Sequence, residues 1–193
     1  MRGLSPGAQK LLTLTEGERA HFGLKPKRDV VPCVTTLRHL PPGATRLDDE
    51  VFAQYFREAG QKCWLIRTDN EPHATLAAYL DSTQLADRDT ATCRERPLWW
   101  RFAMPPKPDM LMSQSFRGRF PKIVDNQLGA IAVGGVCGLY NLSPAHKAHL
   151  AEEALIADLS QRVVAHSNGL HKIEINQMNT LLKELFADPA RLG

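Results

Sequence analysis

Between Pro97 and Leu142 four β-rich segments follow one another, and helical patterns stand on either side of them. Leu98–Ala103, Met110–Phe116, Lys122–Asp125 and Ile131–Tyr140 are short, apolar or β-branched, and punctuated by proline and glycine. A block of strands bracketed by helices suits neither a helical bundle nor a regular strand–helix alternation. The expected class is α+β, with a mixed or antiparallel β-sheet core, several packed helices and a C-terminal strand–helix pair.

Before that block, Gly3-Leu4-Ser5-Pro6-Gly7 is turn chemistry, and Lys10–Leu14 is an apolar run suited to a strand. Thr15-Glu16-Gly17-Glu18 has the form of a capping box, so a short helix is predicted from there to Gly23. Val30–Leu37 reads as a strand ended by Pro41-Pro42-Gly43. Asp48 is a good N-cap for a helix closed by Gly60; Leu47 and Phe52 stand at the staple positions, and Val51, Phe52, Tyr55 and Phe56 form its apolar face. Cys63–Ile66 reads as a buried strand, and Ala74–Ala86 as a helix turning Leu76, Tyr79 and Leu80 inward. After the block, Ser143-Pro144 is an N-cap followed by proline at the first helical position. Leu150, Ala154, Leu155, Leu159, Val163 and Val164 extend this helix to Asn168-Gly169. A last strand, His171–Ile175, leads into a helix capped by Asn176, with Met178, Leu181, Leu182 and Leu185 inside.

The 193 residues are enough for one domain or for two small lobes, 1–90 and 91–193. No window has the roughly 20 apolar residues a membrane span requires. Lys10, Glu16, Glu18 and Arg19 interrupt any secretion signal, so the cytoplasm is expected. Cys33, Cys63, Cys93 and Cys137 are tens of residues apart and form no CxxC pair, which points to packing rather than to zinc or redox chemistry.

Charge is unevenly distributed. Residues 1–90 hold 12 Lys+Arg and 12 Asp+Glu, whereas residues 91–124 hold seven cations (Arg94, Arg96, Arg101, Lys107, Arg117, Arg119 and Lys122) against Glu95 and Asp109. Residues 125–193 hold five against seven, so the whole positive excess lies in one stretch. Such a block is the electrostatic footprint of a protein that meets a polyanion, unless it is simply a solvated face. Catalytic signals are sparse. His146 and His149 stand at i, i+3 but have no further ligand in sequence, and read as exposed helix residues. The HExxH, GxxxxGK[ST] and GxGxxG patterns are missing.

Aromatic residues run through the basic block, in Arg94-Glu95-Arg96-Pro97-Leu98-Trp99-Trp100-Arg101-Phe102 and in Phe116-Arg117-Gly118-Arg119-Phe120-Pro121-Lys122. Arginine suits nucleic acid because its planar fork pairs two acceptors at once, on phosphate or on a guanine edge. Glycine between Arg117 and Arg119 permits a turn that sends both forks outward. Gln114, Asn126 and Asn141 carry the amide that reads adenine. Trp99 and Trp100 are both read as core.

In order and character, several segments resemble the C-terminal target-recognition region of adenine-N6 DNA methyltransferases of restriction–modification systems. Arg2-Gly3-Leu4-Ser5-Pro6-Gly7-Ala8-Gln9-Lys10 is similar to that family's Arg-Gly-x-x-Thr-Gly-x-Asn stretch, with Pro6 and Gln9 replacing Thr and Asn. Tyr79-Leu80 followed by Cys93 to Trp100 looks like its Arg-x-x-Trp-Tyr/Trp stretch. Arg117 through Phe120-Pro121 to Asn126, then Gly138-Leu139-Tyr140, resembles the β segments that follow, and Gly169 to Glu174 the closing strand.

The resemblance implies a sequence-specific reader of double-stranded DNA partnered by a catalytic methyltransferase domain or subunit. Leu40-Pro41-Pro42-Gly43 and Met104-Pro105-Pro106-Lys107 lack the Asn/Asp before and the aromatic after that hold a flipped adenine. The chain is therefore expected not to methylate alone and to hold no cofactor, S-adenosylmethionine belonging to the catalytic partner. Arg117, Arg119 and Lys122 are expected in a groove, Arg94, Arg96 and Arg101 on phosphates, and Gln114 and Asn126 on bases. Other readings remain open: an interaction module that binds a methyltransferase or nuclease subunit, a small nuclease, and a single-strand or RNA binder.

Overall fold

The computed structural model describes residues 1–160, 162–165 and 169–186. The chain enters through helix α1 (Gln9–Leu12) and strand β1 (Thr13–Leu14), where the apolar run alone predicts one strand. Local bonds close the turn first: Leu11 and Leu12 N–H donate to Ala8 O at 3.0 Å, and Thr13 Oγ1 donates to Gln9 O at 2.8 Å. Helix α2 (Glu16–His21) starts at the expected capping box. The Glu18 N–H donates to Thr15 Oγ1 at 3.1 Å, and the Thr15 N–H donates to the Glu18 carboxylate at 2.6 Å.

Strand β2 (Val30–Val34) follows, then α3 (Asp49–Phe52), where Asp48 accepts the Val51 N–H at 2.9 Å. This helix continues as a π-helical turn, Ala53–Arg57, which stacks Phe52 on Phe56 with centroids 5.6 Å apart. Nothing in the apolar spacing announces that widened turn. After β3 (Trp64–Ile66), the helix expected to reach Ala86 divides into α4 (Ala74–Ser82) and α5 (Leu85–Arg88). The hydroxyls of Ser82 and Thr83 donate to Tyr79 O and Leu80 O at 2.7 Å and satisfy the last carbonyls of α4. Helix α6 (Ala91–Arg94) is capped by Thr90.

Leu98–Ala103 is not a strand. The Arg101 N–H turns back to Leu98 O at 2.9 Å, and Thr68 Oγ1 holds Phe102 O at 2.6 Å, so this backbone is satisfied by a turn and a side chain. The other β segments form β4 (Met110–Ser113), β5 (Ser115–Phe116), β6 (Ile123–Asp125), β7 (Ile131–Ala132) and β8 (Val136–Leu139). Helix α7 (Pro144–Ile156) starts at Ser143 as expected but stops well short of Gly169. Ala157 is extended, and the Leu159 N–H reaches Arg119 O at 2.7 Å, which draws Leu159 into the core by a non-helical path. Asn168, expected at the end of that helix, lies outside the described residues. Strands β9 (Val164–Ala165) and β10 (His171–Lys172) precede α8 (Ile175–Phe186), which buries Met178 and Leu181. Its first turn is closed by Gln177, whose side chain accepts the Glu174 N–H at 2.9 Å, rather than by Asn176.

Three small sheets result, in the orders β1-β3-β2-β7, β6-β4-β8 and β5-β10-β9. All named pairings are antiparallel except β2 with β7, so the fold is the mixed α+β arrangement expected. The middle sheet has two apolar faces. Leu111, Val124 and Val136 join the cluster built on Leu12, Leu65, Ile66 and Phe56, while Met110, Met112, Ile123, Cys137 and Leu139 join Leu150, Ile173 and Met178. Strand alternation sends neighbouring residues to opposite faces, which explains why β4 is apolar without a break. The first cluster draws on residues on both sides of position 90, and the two clusters meet at this sheet. Among the described residues no helix is long and apolar enough to cross a membrane.

Candidate nucleic-acid interface

The connection from β4 to β6 carries the Arg117-Gly118-Arg119 sequence. Phe116 is buried and Phe120 half-buried in the second cluster, so the segment is pinned on both sides. The Ser113 N–H to Lys122 O bond at 2.9 Å and the Leu159 N–H to Arg119 O bond at 2.7 Å brace its backbone. Gly118 has φ +87° with open space where a Cβ would project, so conformation rather than crowding favours glycine there. Arg117 is exposed, and its guanidinium has no partner among the described residues. Arg119 is 68% exposed and faces Asp158 at 3.3 Å. The Ser160 hydroxyl and N–H, and then Arg119, hold the Asp158 carboxyl below its usual range.

The remaining sequence-predicted residues are placed differently. Lys122 turns inward: its ammonium donates to Leu40 O at 2.6 Å and to Pro41 O at 3.4 Å, and burial lowers its pKa. It fastens the Pro41–Arg46 loop to β6 instead of facing outward. Gln114 is buried at the corner between β4 and β5, with no partner for its Nε2 among the described residues. Asn126 is buried too; its Nδ2 donates to Pro108 O at 2.7 Å and Ala130 O at 3.0 Å, and its Oδ1 accepts the Ala130 N–H at 2.9 Å. Every polar atom of that amide is used in closing a turn. Neither side chain stands at the surface expected of a base reader.

The three upstream arginines are bound to the first half of the chain. Arg96 donates to Pro6 O at 2.7 Å and lies over the Phe102 ring at 5.5 Å. Arg101 pairs with Glu71 and lies over Trp100 at 5.1 Å. Arg94 pairs with Asp89 at 3.2 Å and is 66% exposed. Trp100 is buried as expected, whereas Trp99 is half-buried beneath Arg88 at 5.4 Å. The basic block is therefore not one surface: Arg96 and Arg101 are tied to Pro6 and Glu71, Lys122 turns inward, and Arg94, Lys107 and the 117–119 tip are its exposed cations.

Other chemistry finds little support. All four cysteines are free and buried, and burial raises the pKa of Cys63 to about 12. His149 is buried rather than exposed, and His146 serves the α7 cap, accepting the Ser143 N–H at 3.3 Å. Among the described residues no three His, Cys, Asp or Glu side chains gather to hold a metal. Gly3-Leu4-Ser5-Pro6-Gly7 has the GxSxG spacing of a nucleophile elbow, but no histidine among the described residues is hydrogen-bonded to the exposed Ser5. S-adenosylmethionine finds no fitting cradle among the described residues. Of the two strands that pair in parallel, β2 is followed by an irregular segment over residues 35–47 and β7 by the Gly134-Gly135 turn into β8, so neither is followed by a glycine turn into a helix.

The described residues form a mixed α+β domain with an exposed arginine tip between β5 and β6. The chain belongs to the family of the C-terminal domain of the Type II methyltransferase M.Eco57I, whose sequence model matches residues 2–179. That family is a C-terminal domain of restriction–modification methyltransferases, in keeping with the resemblance read from the sequence. No curated protein matches the chain.

Proposed function

We propose that this domain recognises double-stranded DNA for an adenine-N6 methyltransferase of a restriction–modification system, with the Arg117-Gly118-Arg119 tip as its reading element. The observation that carries this reading is Arg117: an exposed, unpartnered guanidinium, among the described residues, on a loop anchored by two phenylalanines. A fork held on a braced loop loses less freedom on meeting a base edge or phosphate than one on a slack chain. The Arg119–Asp158 pair is no obstacle, because both groups are open to solvent and a phosphate can replace the carboxylate. Arg94, in a similar exposed pair, is the natural phosphate contact alongside. Lys122, Gln114 and Asn126 turn into the fold, and Arg96 and Arg101 are held by Pro6 O and Glu71, so none of these five is assigned a DNA contact. Methyl transfer, with S-adenosylmethionine, is assigned to the catalytic part.

Fluorescence anisotropy with a labelled duplex tests this. Duplexes that lack the recognised site should bind at roughly 10⁻⁴ to 10⁻⁶ M, the non-specific range, and duplex should outcompete single strand. Arg117→Ala should weaken binding while leaving the melting temperature unchanged. Unaltered affinity for every duplex in Arg117→Ala and Arg119→Ala proteins would reject the assignment.

A second reading, a module that docks a catalytic subunit, draws on Leu85 and Leu98, which are 71% and 43% exposed. Leu98 precedes half-buried Trp99 in the chain, and exposed large apolar side chains mark contact sites where they gather. Pull-down of a catalytic methyltransferase subunit, abolished in Leu85→Glu/Leu98→Glu and insensitive to salt, would favour it.

A further inference from the structure

The loop Lys25-Pro26-Lys27-Arg28-Asp29 lies outside the basic block, in a half of the chain whose charges cancel, so the sequence gives no hint of it. In three dimensions it is tightly knotted. The Asp29 side chain is fully buried; its carboxylate accepts the Lys25 N–H at 2.7 Å and the Arg28 guanidinium at 2.7 Å. Arg67 Nη1 donates to Lys27 O at 2.5 Å, the Arg67 N–H donates to Asp29 O at 2.8 Å, and the Lys27 N–H donates to Val30 O at 2.8 Å. The guanidiniums in this neighbourhood are each taken by a carboxylate: Arg28 by Asp29, Arg67 by Asp69 and Arg101 by Glu71. Lys25 and Lys27 are exposed, and their ammonium groups have no partner among the described residues.

Lys27 also has φ +66°, a conformation glycine adopts freely and a lysine only at a cost. The backbone here suits glycine, and a lysine occupies it nonetheless. Strain of this kind persists where the surroundings over-determine it, and it gathers at sites that bind or switch. What the knot accomplishes is to hold two ammonium charges outward on a backbone that cannot collapse around them.

We infer that the Lys25–Asp29 loop is a second contact for the phosphate backbone of the duplex, in which Lys25 and Lys27 neutralise phosphates while the Arg117–Arg119 tip reads bases. The inference rests on the DNA-recognition reading above. Ammonium groups suit this task because a compact point charge attracts phosphate without reading sequence.

The test measures log K for duplex binding against log salt for the wild type, Lys25→Gln/Lys27→Gln, Lys27→Gly and Arg117→Ala. Removing one phosphate-neutralising charge should flatten the slope by about 0.9, so the double variant should flatten it by roughly 1.8 on all sequences alike. Lys27→Gly should flatten it by about 0.9 while melting at a higher temperature than the wild type, a combination that a purely structural lysine does not produce. Unchanged slopes in folded lysine variants, with Arg117→Ala still weakened, would overturn this inference and leave the recognition reading standing. A wild-type protein with no salt-sensitive duplex binding would overturn both.

Discussion

Replacing Asn126 with alanine separates a structural amide from a base-reading one. The substitution removes three hydrogen bonds to backbone groups inside the fold: those to Pro108 O and Ala130 O, and that from the Ala130 N–H. At a net contribution of about 1 kcal/mol for each, the loss is about 3 kcal/mol, and more if water cannot reach the three orphaned groups. For a chain of this size that is a fall in melting temperature of roughly 6–12 °C. Thermal unfolding followed by circular dichroism measures it directly, and duplex affinity below the transition should stay at the wild-type value. Asn126→Asp sharpens the test. It keeps the acceptor for the Ala130 N–H but turns an oxygen toward two carbonyls, and that oxygen can donate only when protonated. The folded state therefore raises this carboxyl's pKa, so the variant is least impaired below the ordinary carboxylate value near 4 and loses stability as pH rises through the raised one. An Asn126→Ala protein that melts like the wild type yet changes its DNA affinity or site preference would refute the reasoning.

Leu111→Ala and Met112→Ala delete side chains from opposite faces of one strand, and each should cost roughly 2–5 kcal/mol. Both should lower the same urea transition, because one sheet serves both clusters; two separable transitions would contradict that. Burial drives the Asp29 carboxyl upward, but hydrogen bonds from Arg28 and the Lys25 N–H outweigh it, leaving the pKa below the usual range. The stability it contributes is present above the unfolded value near 4 and disappears as pH falls through the lowered one, so Asp29→Asn should flatten the acid limb of a urea-midpoint profile. With Cys33 and Cys63 buried and their pKa values raised, neither should react with a thiol reagent at about pH 8 until denaturant is added. Rapid labelling of either thiol in the folded chain would count against the packing described.

What was legible in the sequence was local. Thr15 with Glu18, Asp48 with Val51, and Ser143 beside Pro144 act over one to three positions, and each starts a helix where its pattern says. Strand β3 was equally plain, and β4 and β5 lie within the Met110–Phe116 segment read as one strand. Longer-range competition hid the rest. Leu98–Ala103 has strand-like residues, but Thr68, 34 positions away from Phe102, takes a carbonyl that a ladder would have used. The end of α7 is decided by Arg119 O, forty residues earlier in the chain than Leu159. The same limit applies to the candidate site. The basic block was visible as composition, yet composition does not say that Arg96 reaches Pro6 or that Lys122 turns to Leu40. Nor does a net charge of zero over residues 1–90 reveal that buried Asp29 leaves two lysines facing outward. Of the two arginines expected at a loop tip, both are there, and the glycine between them has the left-handed backbone such a turn needs.

The most direct test of DNA recognition compares the wild type with an Arg117→Ala/Arg119→Ala double variant on a panel of duplexes between about 50 and 200 mM salt, a range chosen because phosphate contacts make affinity fall steeply across it. The account predicts a folded double variant with weaker binding and a discrimination between sites reduced by about 1–3 kcal/mol for each base-reading arginine removed. A double variant that keeps both the affinity and the site preference of the wild type at every salt concentration would contradict it.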